Sequence, residues 1–399
     1  MTRRYGEIRW NFRTRIALVV TMVLIIPATL AISPAWAKPT PQWTFMVYMA
    51  ADNNLDYFGY ENMEAMKDGL TVRESPQDVN VVVLWDKYDD VTNLYKITTG
   101  EPELVDGFSL NGEETNMGDP DTLRNFVTYT MRRFRANHYV LVLWDHGDDF
   151  RGCCWDDHPD DYLTHQEITQ ALSKIHLDIL AFDACVEGMI EVIYEYVSAP
   201  RGPQIDYVVA TEGYVPFAGY PYAMILEHFD PAMNVKDFAK VIVDDYIAFY
   251  ETLRPASRLV ELAYIDMTYI NTIVKQLGDL TSYLGANIKT SHGIVSEARG
   301  KGNLGWSEYG WEAYIDFPTF IKSLKKYGIP GAASLYTDLT NAIYVQASGS
   351  MKSAEGLGIF FPNSEGSFQH KVWWTPGDYL AMRFPHEGWW NFLQIYWGQ

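Results

Sequence analysis

The stretch Tyr139-Val140-Leu141-Val142-Leu143-Trp144-Asp145-His146-Gly147 is an unbroken apolar run that ends in an acid, an imidazole and a glycine. Four other runs have the same form: Trp43 to Ala50, Val79 to Trp85, Leu177 to Phe182 and Tyr207 to Thr211. They are apolar throughout rather than alternating, the pattern of strands buried on both faces. Amphipathic stretches of helical period lie between them. Asp119-Pro120 supplies an N-cap and a proline at the first helical position before Leu123 to Phe134, and Thr164-His165-Gln166-Glu167 reads as a capping box before Ile168 to Lys174. Another helix is expected from Glu187 to Val197, directly after Cys185. Strands interleaved with helices predict an α/β fold built on a mostly parallel sheet flanked by helices.

After about residue 235 the pattern changes to helical segments, Lys236 to Thr252, Thr268 to Leu284 and Ala313 to Tyr327. A strand-like Gly356 to Pro362 and an aromatic tail follow. The organisation read from this is a core over 38–235 and a mainly helical C-terminal extension over 236–399 that returns a strand to the sheet. Residues 1–37 read as a signal peptide: Arg3, Arg4, Arg9, Arg13 and Arg15 precede an apolar run from Ile16 to Ile32, and Ala35-Trp36-Ala37 offers the small residues of a cleavage site. The expected product is a secreted or periplasmic protein, free of the membrane once the signal is removed.

That leader holds five Arg and one Glu, so its removal moves the formal charge from −20 to about −24. So acidic a surface repels phosphate backbones, which excludes nucleic acid as a partner, and attracts basic peptides and cations. Three cysteines, Cys153, Cys154 and Cys185, are too few for a disulfide framework and leave at least one thiol unpaired within the chain.

His146 and Cys185 each follow a buried run. If both strands are parallel members of one sheet, their carboxyl ends share the edge where open α/β sheets place ligand sites. The thiolate is the nucleophile, and an imidazolium and a helix N-terminus both stabilise it. The N–H groups of Gly147 and Cys185 are candidates for holding an oxyanion. Alternation along the strand puts Asp183 on the same face as Cys185, and Glu212 ends the next strand, so both acids are candidates for binding a basic substrate side chain.

Phe45 to Leu55, Asn116 to Pro120, Leu143 to Gly147, Phe182 to Cys185, Val215-Pro216 with Gly219 to Tyr222, and Gly356 to Pro362 together resemble the clostripain family of cysteine peptidases, relatives of caspases, legumain and gingipains. The resemblance implies a caspase-like sheet, a dyad of His146 and Cys185 with no required third member, and cleavage after Arg or Lys. Two departures stand out. Cys185-Val186-Glu187-Gly188-Met189 places an acid in the expected first turn of the helix, where it opposes a thiolate. Gly152 to Gln170 contains no Lys or Arg, and of the basic residues that remain between the dyad residues Arg151 abuts the expected site and Lys174 lies on an expected helix, so the acidic loop offers a basic-specific enzyme no site for self-cleavage. Calcium dependence occurs in the family, and Asp156, Asp157, Asp160 and Asp161 crowd this loop, but without the spacing of an EF-hand, so they read as a solvated acidic loop. No cofactor is required by this reading; calcium is possible. The alternative is a catalytically idle secreted binding protein on the same fold, suggested by the Trp- and Tyr-rich C-terminal half and by Glu187.

Overall fold

Each of the five apolar runs forms a strand, and these five are the parallel strands of one sheet. The computed structural model describes residues 41–88, 90–197, 202–254, 259–303, 313–369 and 376–399; the expected signal peptide lies outside them. In chain order the strands are β1 Trp43–Ala51, β2 Val79–Lys87, β3 Asn93–Ile97, β4 Glu103–Leu104, β5 His138–Trp144, β6 Cys153–Asp156, β7 Asp161–Leu163, β8 His176–Asp183, β9 Gln204–Ala210, β10 Glu261–Asp266, β11 Tyr314–Asp316, β12 Ile343–Ala347 and β13 Gly358–Phe360. The main sheet has nine strands in the order β12-β10-β9-β8-β5-β1-β2-β3-β4. From β9 to β2 the pairings are parallel, while β3, β4, β10 and β12 add antiparallel edges.

Continuous apolarity is explained by cover on both faces. Met46, Tyr48 and Ala50 of β1 point into one layer with the helices Pro120–Arg133, His165–Ala171 and Ile270–Ala286; Phe45, Val47 and Met49 point into the other with Asp56–Thr71, Tyr222–His228 and Val235–Thr252. Full burial of each large aliphatic side chain is worth about 1.5–3 kcal/mol. A one-residue slip exchanges the two faces of a strand, so the fitted layers fix the register. Both sequence-read caps form. The Asp119 side chain accepts from Asp121 N–H, and Thr164 and Glu167 make the reciprocal box.

Pro41–Gln399 is one compact unit. The segment beyond residue 235 does return strands to the main sheet, but they are β10 and β12, not Gly356 to Pro362. That run carries β13, which pairs with β11 in a separate two-stranded sheet. Among the described residues no helix is long and apolar enough to cross a membrane.

Candidate active site

Parallel strands end on one edge, so the residues that follow them share one surface. Trp144 of β5 is the register partner of Asp183 of β8, and of Met49 of β1 on the other side. His146 and Cys185 each lie two residues beyond that pair. Both line a cleft of about 890 Å³ together with Asn54 and Leu55 from the end of β1, Gly147, Asp148, Arg151, Trp155 and Asp157, and Tyr214 to Phe217 from beyond β9. Phe217 is 63% exposed and stacks on Phe58 at 5.3 Å, giving one wall an aromatic rim.

Cys185 does not sit at a helix start. After β8 the chain turns sharply: Val186 has φ 54°, its N–H donates to Gly213 O at 2.7 Å, and Gly188 N–H donates to Thr211 O at 2.7 Å. The helix expected from Glu187 begins only at Ile190. A left-handed conformation costs an ordinary residue about 1–2 kcal/mol, which the zipping to the segment after β9 offsets. Cys185 is thus presented by a strained turn and not by a helix N-terminus.

Burial moves both groups toward their neutral forms. Burial pushes the Cys185 thiol up to about 11, with the Val215 N–H opposing and the charges of Glu187, Asp183 and Asp145 adding to it. Val215 N–H donates to Sγ at 3.4 Å, and Sγ lies 3.7 Å from Val215 O. Burial also holds His146 below its ordinary 6.5, against the pull of Asp157. His146 Nε2 lies 2.8 Å from Asn54 Oδ1. An amide oxygen only accepts, so Nε2 carries the proton and Nδ1 keeps its lone pair. Asn53 secures this arm: its Oδ1 accepts from Leu55 N–H at 2.8 Å, and its Nδ2 donates to Asp145 Oδ1 at 2.9 Å and Trp155 O at 3.0 Å.

Gly147 is demanded by close approach, since a β-carbon there would lie 2.3 Å from Cys185 O and 2.6 Å from Glu187 Oε1. Among the described residues the N–H groups of Gly147 and Cys185 donate to no backbone acceptor. Glu187 is off the helix and fully buried, 3.3 Å from His165 Nε2. Burial raises its carboxyl well above the ordinary value, and its proximity pushes the Cys185 thiol up, the direction expected from the sequence.

The two proposed substrate acids part company. Asp183 ends β8 and lines no part of the cleft; its Oδ2 accepts from Tyr220 N–H at 3.0 Å and Tyr222 O–H at 2.8 Å while Oδ1 is buried without a partner. Burial raises it to about 7. Glu212 turns away into a buried group of acids with Asp316 and Glu261, and lines no part of the cleft. The acids of the loop do not converge either. Asp157 and Asp160 are exposed and Asp161 accepts from Asn116, whereas Asp156 is buried and meets Asp52, Asp86 and Glu114. Cys153 and Cys154 are buried free thiols 3.7 Å apart.

Sequence reasoning missed Asn54 and the backbone of Val215. The first was legible: Asn54 follows a parallel strand of the same sheet, so the rule that placed His146 and Cys185 on one edge places it there too.

The sequence profile of the clostripain family matches residues 47–394. The chain belongs to the clostripain family. It is therefore a cysteine peptidase, a hydrolase acting on peptide bonds. Clostripain of Hathewaya histolytica is 25% identical over 436 residues, covering 88% of this chain and 79% of that protein. Two solved structures share the fold. A secreted C11 cysteine protease from Bacteroides thetaiotaomicron, in complex with an irreversible peptide inhibitor, has a TM-score of 0.68 at 18% identity, covering 88% of this chain and 99% of that one. An inactive zymogen C11 protease from Parabacteroides distasonis has a TM-score of 0.65 at 17% identity with the same coverage. The sheet with its flanking helices is the caspase-like arrangement of these family members.

Proposed function

We propose that this peptidase is exported, that His146 and Cys185 are its catalytic dyad, and that it cleaves after Arg or Lys. The carrying observation is the convergence of one thiol and one imidazole at the carboxyl ends of adjacent strands, with Asn54 bonded to the far ring nitrogen. In this reading Nδ1 takes the thiol proton as sulfur attacks the scissile carbonyl, so the thiolate forms only in the act of bond making. The N–H groups of Gly147 and Cys185 hold the oxyanion. The imidazolium then gives its proton to the leaving amine as the C–N bond breaks. Neutral His146 next deprotonates a water that attacks the thioester, and the thiol is restored.

Basic specificity is supported by Asp183, which stands two residues before Cys185 and keeps one buried oxygen, Oδ1, without a partner. Gly219 keeps the space above it small but open, since a β-carbon there would lie 2.8 Å from Asp183 Oδ2. A guanidinium or ammonium that reaches this oxygen needs the Tyr214–Gly219 segment to move aside. Export rests on the charged, apolar and A-x-A segments of residues 1–37. The test is a peptide with lysine at its reactive end and a thiol-directed warhead. Stoichiometric labelling that maps to Cys185 and vanishes in Cys185→Ser supports the enzyme, whereas an unlabelled but folded wild type points to an idle binding protein.

A further inference from the structure

Phe317-Pro318-Thr319-Phe320-Ile321-Lys322-Ser323-Leu324-Lys325-Lys326 carries two faces at helical period. Phe317, Phe320, Ile321 and Leu324 are buried in the core, so Thr319, Lys322, Ser323 and Lys326, spaced at i, i+3, i+4 and i+7, form the opposite stripe of the helix Phe317–Lys326. Glu297 and Lys301, one turn apart on the helix Ile288–Gly302, flank that stripe. Lys352 to Glu355 close it from the short helical turn Gly349–Ser353 and the chain just after. These three segments wall a hollow of about 770 Å³, which shares no lining residue with the cleft of His146 and Cys185.

Lys301, Lys322, Lys326 and Lys352 thus converge on one hollow of a chain in which 51 Asp and Glu outweigh 31 Lys and Arg. The two acids of the wall are already engaged. Glu355 Oε1 meets Lys322 Nζ at 2.6 Å and its Oε2 accepts from Tyr336 O–H at 3.0 Å, while Glu297 accepts from Tyr327 O–H. Among the described residues Lys301, Lys326 and Lys352 form no ion pair. A lysine in a last helical turn complements the helix dipole, which accounts for Lys301 and Lys326 singly. It does not account for Lys322, from mid-helix, and Lys352, from a separate segment, facing the same space. Ammonium groups gathered around one space repel one another, and a bound anion replaces that repulsion with attraction. Ser323 and Ser353 add hydroxyl donors to the wall.

We propose that this hollow binds a small ligand carrying two or more phosphate or sulfate groups, held by Lys301, Lys326 and Lys352. A lone carboxylate would meet one ammonium and leave two bare, whereas linked tetrahedral oxyanions give each a charged partner. The concave wall and its volume are those of small-molecule sites and unlike the open basic face that a membrane surface requires. The acidic chain repels anions at long range, so an anion is retained only where positive charge is concentrated locally. This binding is independent of the dyad.

The experiment uses the mature full chain carrying Cys185→Ala in metal-free buffer at low salt, titrated calorimetrically with sodium pyrophosphate, a disulfated disaccharide, inorganic phosphate and vesicles of phosphatidylglycerol. The expected result is one pyrophosphate or one disulfated sugar per chain, bound at least about tenfold more tightly than inorganic phosphate and more weakly as sodium chloride is raised. The tighter of the two identifies the source of the oxyanions. Lys326→Ala and Lys352→Ala each weaken binding by about tenfold, as the loss of a charge-assisted hydrogen bond requires, and Lys326→Arg retains it. Lys289→Ala, exposed on the helix Ile288–Gly302 but outside the hollow, removes the same charge and leaves binding unchanged. Circular dichroism separates loss of the site from loss of the fold, and a folded variant that fails to bind supports the site. No saturable binding of either ligand at millimolar concentration, affinity no greater than for inorganic phosphate, or equal loss in Lys289→Ala overturns the proposal. Binding confined to the vesicles overturns it equally, as the mark of a membrane surface.

Discussion

In the proposed mechanism Asn54 acts on substrate only through His146, by fixing which ring nitrogen carries the proton. Asn54→Ala is expected to lower kcat with little change in KM, by no more than the factor of about 10²–10⁴ that acid–base catalysis contributes. Groups moved toward their neutral forms have their own signature. With the thiol raised to about 11 and His146 lowered from 6.5, alkylation of Cys185 by iodoacetamide should climb with pH towards about 11 rather than level off near neutrality. Peptide hydrolysis should fall on acidification only below pH 6.5, where protonation removes the base; a rate plateau of alkylation on the acid side would show an ion pair instead. Asp183→Asn should reduce cleavage after Arg or Lys by about 1.5–3 kcal/mol, the worth of a charged hydrogen bond, and spare neutral substrates. Equal loss for both classes makes Asp183 structural, the outcome expected for Glu212→Gln. At this scale the sequence revealed His146 and Cys185 because each terminates a long apolar run. It could not separate Asp183 from Glu212, since both follow strands and only packing decides which way an acid turns.

Between residue and fold stands the turn after β8, where the reading of the sequence went furthest astray. Val186 to Met189 is compatible with helical period, so the helix was expected at Glu187. The hydrogen bonds of Val186 and Gly188 to the chain beyond β9 divert it until Ile190. No local pattern announces a partner 27 residues ahead at Gly213. Where the turn presses on the His146 loop, Gly147→Ala should damage both stability and activity, because its β-carbon meets the Cys185 carbonyl backbone rather than a flexible side chain. Overpacking costs about 1–3 kcal/mol, and unfolding in urea together with kcat/KM checks it. Unchanged values for both would mean that the two loops are not in contact.

Across the whole molecule, the five strands buried on both faces were legible and the antiparallel edges were not. β3 and β12 are half-buried, so apolarity does not mark them. Buried acids set the response of stability to pH. Burial raises Glu191 and Glu261 to about 8, far above their ordinary 4.5, so the folded chain holds protons that the unfolded chain has lost. Their contribution is fully present below pH 4.5 and is lost as pH rises through about 8. His165 has the opposite sign: lowered from 6.5 to about 4, it favours the fold above 6.5 and ceases to as pH falls through 4. Scanning calorimetry should therefore give a higher melting temperature near pH 6 than at pH 9. A melting temperature that rises steadily to pH 9 would contradict the burial of neutral acids.

The dyad is tested most directly by hydrolysis of a fluorogenic lysyl peptide in the wild type, Cys185→Ala, His146→Ala and the double variant. Two groups that serve one transition state fail together, so each single change should cost several orders of magnitude in kcat and the double change about as much as either. A double variant slower than both by the product of the single losses would show two residues acting independently, and the paired mechanism would be wrong.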